Sequence, residues 1–179
     1  MEKYNIQWKS FIKRLLTPTM KYKDIYSIDF TYLHVMGYRN IILDVDNTLV
    51  IWDMYEINPK LFNQIQYIKD MGFKICLLSN NNNKKQISEL ADQLLVLTVF
   101  KGKKPFSRSF NHALEALEAD IENTLVIGDQ IFTDILGGNM MGLTTILVDP
   151  LSKKEFITTK FMRLLEKTLM GRKIEYDNK

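Results

Sequence analysis

Five short, largely apolar runs, each separated from the next by a segment of helical periodicity, constrain this chain more than any other feature. They lie at 39–46, 73–79, 94–100, 124–127 and 144–148. A strand that is apolar on both faces has to be covered on both faces, which is the condition of a strand inside a parallel sheet. The intervening segments supply the cover. Asn58-Pro59 opens a helix with an N-cap followed by proline, Leu61, Ile65 and Ile68 mark its apolar side, and Gly72 closes it. Residues 84–93, 107–119 (with Phe110, Leu114 and Leu117 on one side) and 131–141 read as further helices. The expected fold is therefore α/β, a Rossmann-like three-layer α/β/α sandwich around a parallel sheet of about five strands.

The ends differ from the centre. Residues 5–16 place Trp8, Phe11, Ile12 and Leu15 at helical spacing with Lys9, Lys13 and Arg14 elsewhere on the same helix. A short helix is expected over 30–36. Residues 155–171 repeat the basic amphipathic pattern with Phe156, Phe161, Leu164, Leu165 and Leu169, before a polar tail. The net charge of +3 hides this division. Residues 1–39 hold seven Lys/Arg against three acids, 40–150 hold nine against fourteen, and 151–179 hold eight against four. One domain over 1–179 is expected, with a core of about 38–150 and basic helical extensions at 1–37 and 151–179. The single cysteine, Cys76, excludes an internal disulfide and a multi-cysteine zinc site. No apolar stretch approaches the ~20 residues that span a bilayer, and the N-terminus lacks a signal-like run, so a cytoplasmic protein is expected.

Chemistry-bearing residues gather where the strands stop, which is where ligands bind in open parallel sheets. The first strand ends in Asp44-Val45-Asp46-Asn47-Thr48, the second in Ser79-Asn80 and the fourth in Gly128-Asp129. Lys103-Lys104 follows the third, and Asp134 lies five residues beyond Asp129. Two acids one residue apart repel each other at a strand end unless a cation or a substrate offsets them. Carboxylates, a hydroxyl, an amide and an ammonium around one mouth suit phosphoryl transfer, which needs positioning and charge neutralisation. Oxygen donors without cysteine or histidine nearby favour Mg²⁺. His34 and His112 fall on helices, as surface or packing residues.

These four motifs, in this order on strand ends, resemble those of the haloacid dehalogenase (HAD) superfamily over about residues 38–150. The resemblance implies Asp44 as nucleophile and Mg²⁺ ligand. It implies Asp46 as the group that protonates the leaving oxygen and then activates water, with its backbone carbonyl on the metal. Ser79 and Asn80 would bind the transferring phosphoryl group and Lys104 would neutralise it, a role Lys103 contests on sequence alone. Asp129 would be a direct metal ligand, Asp134 a supporting group or further ligand, and Thr48 a brace for the loop. The longer pattern, Asp-x-Asp-Asn-Thr-Leu-Val, Ser-Asn-Asn-Asn, Lys-Pro and Gly-Asp-Gln-x-x-Thr-Asp-x-x-Gly-Gly-Asn, is similar to the YqeG-like group of HAD subfamily IIIA. That group is in turn similar to phosphatidylglycerophosphate phosphatases. The resemblance implies a Mg²⁺-dependent phosphomonoesterase working through an aspartyl-phosphate.

Spacing bears on the substrate. Thirty residues separate Thr48 from Ser79, and twenty-three separate Asn80 from Lys104. A short flap with one helix and one strand uses up the first interval, and a helix and a strand the second. Neither holds a cap domain, so an open site is expected, suited to a large or membrane-presented substrate such as a phospholipid head group. Trp52, Met54 and Tyr55 of the flap either line the entry or pack in the core. The basic ends either touch an anionic membrane peripherally or only cover the sheet, and nucleic acid is not the expected partner. A soluble sugar phosphate, nucleotide or phosphoprotein is the alternative substrate. A catalytically idle HAD module used for binding is the alternative of another class.

Overall fold

The computed structural model describes residues 2–51, 56–100 and 103–152. The flap residues Trp52, Met54 and Tyr55, the helix expected at 155–171 and the tail after it lie outside the described residues. Six strands form one parallel sheet: β1 (Met20–Tyr22), β2 (Asn40–Leu43), β3 (Lys74–Leu78), β4 (Leu97–Val99), β5 (Thr124–Gly128) and β6 (Thr144–Val148), in the order β1-β6-β5-β2-β3-β4. The helices are α1 (Glu2–Leu15), α2 (Phe30–Val35), α3 (Pro59–Asp70), α4 (Lys84–Leu94), α5 (Ser107–Leu117) and α6 (Leu136–Met140).

Alternation along β2 shows how the layers are filled. Ile41 and Leu43 pack with Ile75, Leu77, Leu125 and Ile127 against the apolar sides of α2, α3 and α4. Ile42 faces the other way, with Cys76, Leu78 and Val126, against Phe110, Ala113, Leu114 and Leu117 of α5. Each such fully buried chain contributes about 1.5–3 kcal/mol of apolar transfer, and the sum sets the sandwich. The Cys76 thiol is buried, and burial pushes its pKa up to about 12, as expected of a small core hydrophobe. α6 comes close because it has no side chains at two positions. A β-carbon on Gly137 would run into the Phe110 ring, and one on Gly138 into Thr145.

Two elements differ from expectation. The sheet has a sixth strand, β1, which pairs Met20 to Tyr22 with Ile146 to Val148 of β6. Its three residues, Met-Lys-Tyr, are half-buried or exposed, so they carry no apolar run to announce a strand. The helix expected over 131–141 opens as a π-turn, Ile131–Ile135, in which the amide of Ile135 reaches back five residues to the Gln130 carbonyl. The widened turn carries Asp134 inward, a use to which single π-turns are often put.

α1 is tied down at its last turn. The Asn139 side-chain amide donates to the carbonyls of Leu15 (2.8 Å), Thr17 (2.9 Å) and Arg14 (3.3 Å), and its oxygen accepts from Thr145 Oγ1 at 2.9 Å. The last carbonyls of a helix have no partner within it, so one side chain satisfies what the α1 terminus leaves open. Farther along α1, Trp8 and Phe11 stack on each other in solvent, with Arg14 over the Phe11 ring.

Candidate active site

The site is assembled at the carboxyl ends of β2, β3 and β5 and in the loop after β4. Beyond Leu43, Asp44 continues the ladder by donating its amide to the Ile127 carbonyl at 2.9 Å, which holds its side chain at the mouth. The chain then folds into a tight loop. Asn47 adopts φ 61°, a left-handed conformation asparagine tolerates, and its amide donates to the Val50 carbonyl at 2.8 Å. This turn returns Thr48 to the site, where its hydroxyl donates to Asp44 Oδ2 at 2.9 Å and lies 3.4 Å from Asp129 Oδ1.

Ser79, buried just past β3, donates to Asp46 Oδ2 at 2.7 Å and accepts from the Asn81 amide at 2.9 Å. The Asn81 side chain approaches Asp46 Oδ1 at 3.4 Å. Asn80 faces elsewhere. Its oxygen accepts from the Lys104 amide at 2.7 Å and its nitrogen donates to the Lys104 carbonyl at 3.1 Å, so Asn80 clamps the lysine's backbone. Lys104 is buried and its ammonium lies between the Asp44 carboxylate and Asp134 Oδ1, the latter at 2.7 Å. Lys103 is exposed, which separates two lysines the sequence left equivalent.

Asp134 is 1% exposed, and its second oxygen accepts from the Gln130 amide at 3.1 Å. Gly128 makes room for it, because a β-carbon there would collide with the Asp134 carboxyl. His34 packs edge-on against Phe73, away from the mouth, as expected of a packing residue.

The electrostatics follow from burial. Asp44 is pushed up to about 7, first by desolvation and then by the nearby Asp134 and Asp46, against the pull of Lys104. Asp129 is pushed up to about 8 by desolvation, Asp44 and Asp134. Burial depresses the Lys104 ammonium, but Asp134 and Asp44 outweigh it and hold it above the ordinary lysine value. Carboxyl oxygens of Asp44, Asp129 and Asp134 lie within 4.8 Å of one another. When ionised, these three carboxylates outnumber the one ammonium facing them, leaving an excess of negative charge in a desolvated pocket. A hard divalent cation fits that donor set of oxygens.

A family model described as mitochondrial PGP phosphatase matches residues 4–152. The chain belongs to that family. It is 35% identical over 160 residues to the probable phosphatase YqeG of Bacillus subtilis, covering 89% of this chain and 92% of that one. It is 29% identical over 164 residues to a phosphatidylglycerophosphate phosphatase 1, chloroplastic/mitochondrial, of Arabidopsis thaliana, covering 85% of this chain but 47% of that longer protein. A predicted HAD-like family hydrolase from Porphyromonas gingivalis shares the fold, with TM-score 0.52 at 16% identity over 72% of this chain and 98% of its own. The family member described here is thus a HAD-type phosphatase with a Rossmann-like parallel sheet.

Within it, Asp44, Asp46, Thr48, Ser79, Asn80, Lys104, Asp129 and Asp134 all gather at one mouth. The sequence reading overlooked two contributors, Asn81 and the Gln130 amide. Asn81 stood in a run of four asparagines that reads as a polar turn, and a backbone amide has no residue-type signal at all.

Proposed function

We propose that this phosphatase is a Mg²⁺-dependent phosphomonoesterase acting through an aspartyl-phosphate on Asp44, with a phosphatidylglycerophosphate-like lipid ester as its substrate. The observation that carries the chemistry is the placement of Asp44, buried at the end of β2 beside the Lys104 ammonium, with Asp46 on the neighbouring Ser79. In this reading an Asp44 oxygen attacks phosphorus and the ester P–O bond breaks. Asp46 gives its proton to the leaving oxygen. Water then attacks the same phosphorus, Asp46 takes its proton, and the Asp44–phosphorus bond breaks to release phosphate. Ser79 and Asn81 fix the Asp46 carboxyl for both transfers, and Thr48 orients Asp44.

Lys104 offsets charge on the phosphoryl oxygens, and its backbone is held for the purpose by Asn80. Ser79 is proposed as a further phosphoryl contact, whereas Asn80, expected beside it, acts through the Lys104 backbone. Asp44, Asp129, the Asp46 carbonyl and Asp134 would hold Mg²⁺, which when bound neutralises phosphoryl oxygens. The lipid substrate is supported by the family's description and by the Arabidopsis relative. It is supported physically by the open mouth: the intervals from Thr48 to Ser79 and from Asn80 to Lys104 contain, among the described residues, only α3 with β3 and α4 with β4. The terminal extensions and the core are read as one HAD-like domain over 1–179.

Asp44→Asn tests the chemistry. Turnover of p-nitrophenyl phosphate and of phosphatidylglycerophosphate in mixed micelles is expected to vanish while the variant keeps its circular dichroism. Retained turnover refutes the nucleophile. Wild-type hydrolysis of soluble sugar phosphates or nucleotides in preference to the micellar lipid refutes the substrate.

A further inference from the structure

Several groups of exposed large apolar side chains lie on the described surface, and two of them bear on contact with a membrane. Trp8 and Phe11 belong to α1, whose last turn is fastened by Asn139 beside Thr145, near the start of β6. That puts the last turn of α1 at the end of the strands opposite the mouth. The other group surrounds the mouth. Ile51 (41% exposed) follows the Asp44 loop, Phe100 (38%) follows β4, Phe106 (65%) follows Lys104 by two residues, and Leu151 (43%) follows β6. Leu151 is fixed to the site by its amide, which donates to the Asn47 carbonyl at 2.9 Å.

Phe106 breaks a local rule as well. It occupies the N-cap of α5, where serine, threonine, aspartate or asparagine would bind the free amides, and it makes no side-chain cap. A phenylalanine that neither packs nor caps, two residues from a site lysine, has no folding reason to be there. Local rules are characteristically broken at functional positions. Lys103 and Arg108 flank it, both exposed and neither paired with a carboxylate among the described residues. Exposed apolar side chains with two such cations among them complement a surface that is apolar beneath and anionic on top.

We propose that this strand-end rim, and not α1, is the surface by which the protein docks on an anionic lipid bilayer, presenting the mouth directly to esters in the head-group layer. The proposal deepens the lipid-phosphatase reading and rests on it. The rings and aliphatic chains enter the head-group boundary, while Lys103 and Arg108 meet lipid phosphates.

The test is co-sedimentation of the full chain with phosphatidylglycerol-containing vesicles and with pure phosphatidylcholine vesicles. Wild type is expected to bind the anionic vesicles in a salt-sensitive way. Phe100→Ser/Phe106→Ser is expected to weaken that binding on the order of tenfold per ring, from the loss of a buried aromatic group. Lys103→Glu/Arg108→Glu is expected to remove its salt dependence, and Trp8→Ser/Phe11→Ser to leave binding unchanged. All these side chains are exposed, and an unchanged melting temperature verifies the fold of each variant. The proposal is overturned if wild type ignores anionic vesicles, if the Phe pair is dispensable, or if the α1 pair alone abolishes binding. Binding needs no turnover, so the two readings fail separately. Rim-dependent binding without lipid hydrolysis overturns the substrate and leaves the docking surface. Micellar lipid hydrolysis with rim-independent binding does the reverse.

Discussion

Replacing Lys104 by methionine removes an ammonium from a pocket of buried carboxylates, and the cost should depend on pH in a way that can be worked out beforehand. Asp44 already stands at about 7 against an ordinary 3.8, with Lys104 pulling it down. Without the ammonium the folded-state value rises further. An acid whose folded value lies above its unfolded value binds more protons in the native form, so stability falls as pH rises from about 4 through the folded value.

Above about pH 7 the variant must fall more steeply than wild type. Below that pH the wild-type Asp44 carboxyl is already largely protonated in the fold, so raising its folded value further adds little there. Above it the added cost is about 1.4 kcal/mol for each pH unit, hence about 1.4 kcal/mol at pH 8 from Asp44. Urea unfolding followed by circular dichroism, in chelator, should therefore give a destabilisation larger at pH 8 than at pH 5 by at least about 1 kcal/mol. An equal destabilisation at the two pH values would refute the reasoning, because the carboxylates would then not be what Lys104 holds in place.

Three further outcomes follow from the same geometry and from the α1 tether. In chelator, the wild-type melting temperature should fall as pH rises from about 4 to about 8, because Asp44 and Asp129 have raised folded values of about 7 and about 8. Adding Mg²⁺ should raise the melting temperature more at pH 8 than at pH 5, and a pH-independent metal effect in thermal-shift measurements would contradict the carboxylate assignment. Asn139→Ala severs the amide from three carbonyls at the end of α1 and should cost about 1–3 kcal/mol, with limited proteolysis then cutting within the first seventeen residues, whereas an unchanged digestion pattern would show α1 to be held elsewhere.

Much of this was legible because two independent periodicities coincide with one chemical rule. Ile41, Ile42 and Leu43 declare a strand covered on both faces, and the residues that follow such strands necessarily share one end of a parallel sheet. Asp44, Ser79, Lys104 and Asp129 could thus be brought together without any contact being known. What the sequence could not express was direction within that cluster. Nothing in Ser79-Asn80 tells that the serine turns to Asp46 while the asparagine turns to the backbone of Lys104. Nor did Lys103-Lys104 reveal which lysine is buried, since that depends on the path of the loop after β4. Asp134 read as a supporting group five residues past Asp129, but its ion pair with Lys104 needs the π-turn, which has no residue-type signature. β1 escaped notice for a related reason. An edge strand is buried on one side at most, so three residues of mixed polarity suffice, and pairing with β6 rather than composition makes them a strand.

That edge position has a consequence for how copies of the chain meet. A sheet margin is a row of unsatisfied amides and carbonyls, able to template a further strand from a second molecule. Here both margins, β1 and β4, are three residues long, and β1 carries the exposed Lys21, bridged to Asp149 at 3.3 Å. The five-residue β6, with Ile146 and Val148 buried, is shielded by β1 on that flank. The residues ahead of the Asp44 motif thus act as a guard rail for the sheet. A chain cut to begin at Arg39 would keep every proposed catalytic group and bare an adhesive margin, so the minimal catalytic core and the minimal soluble core are different molecules.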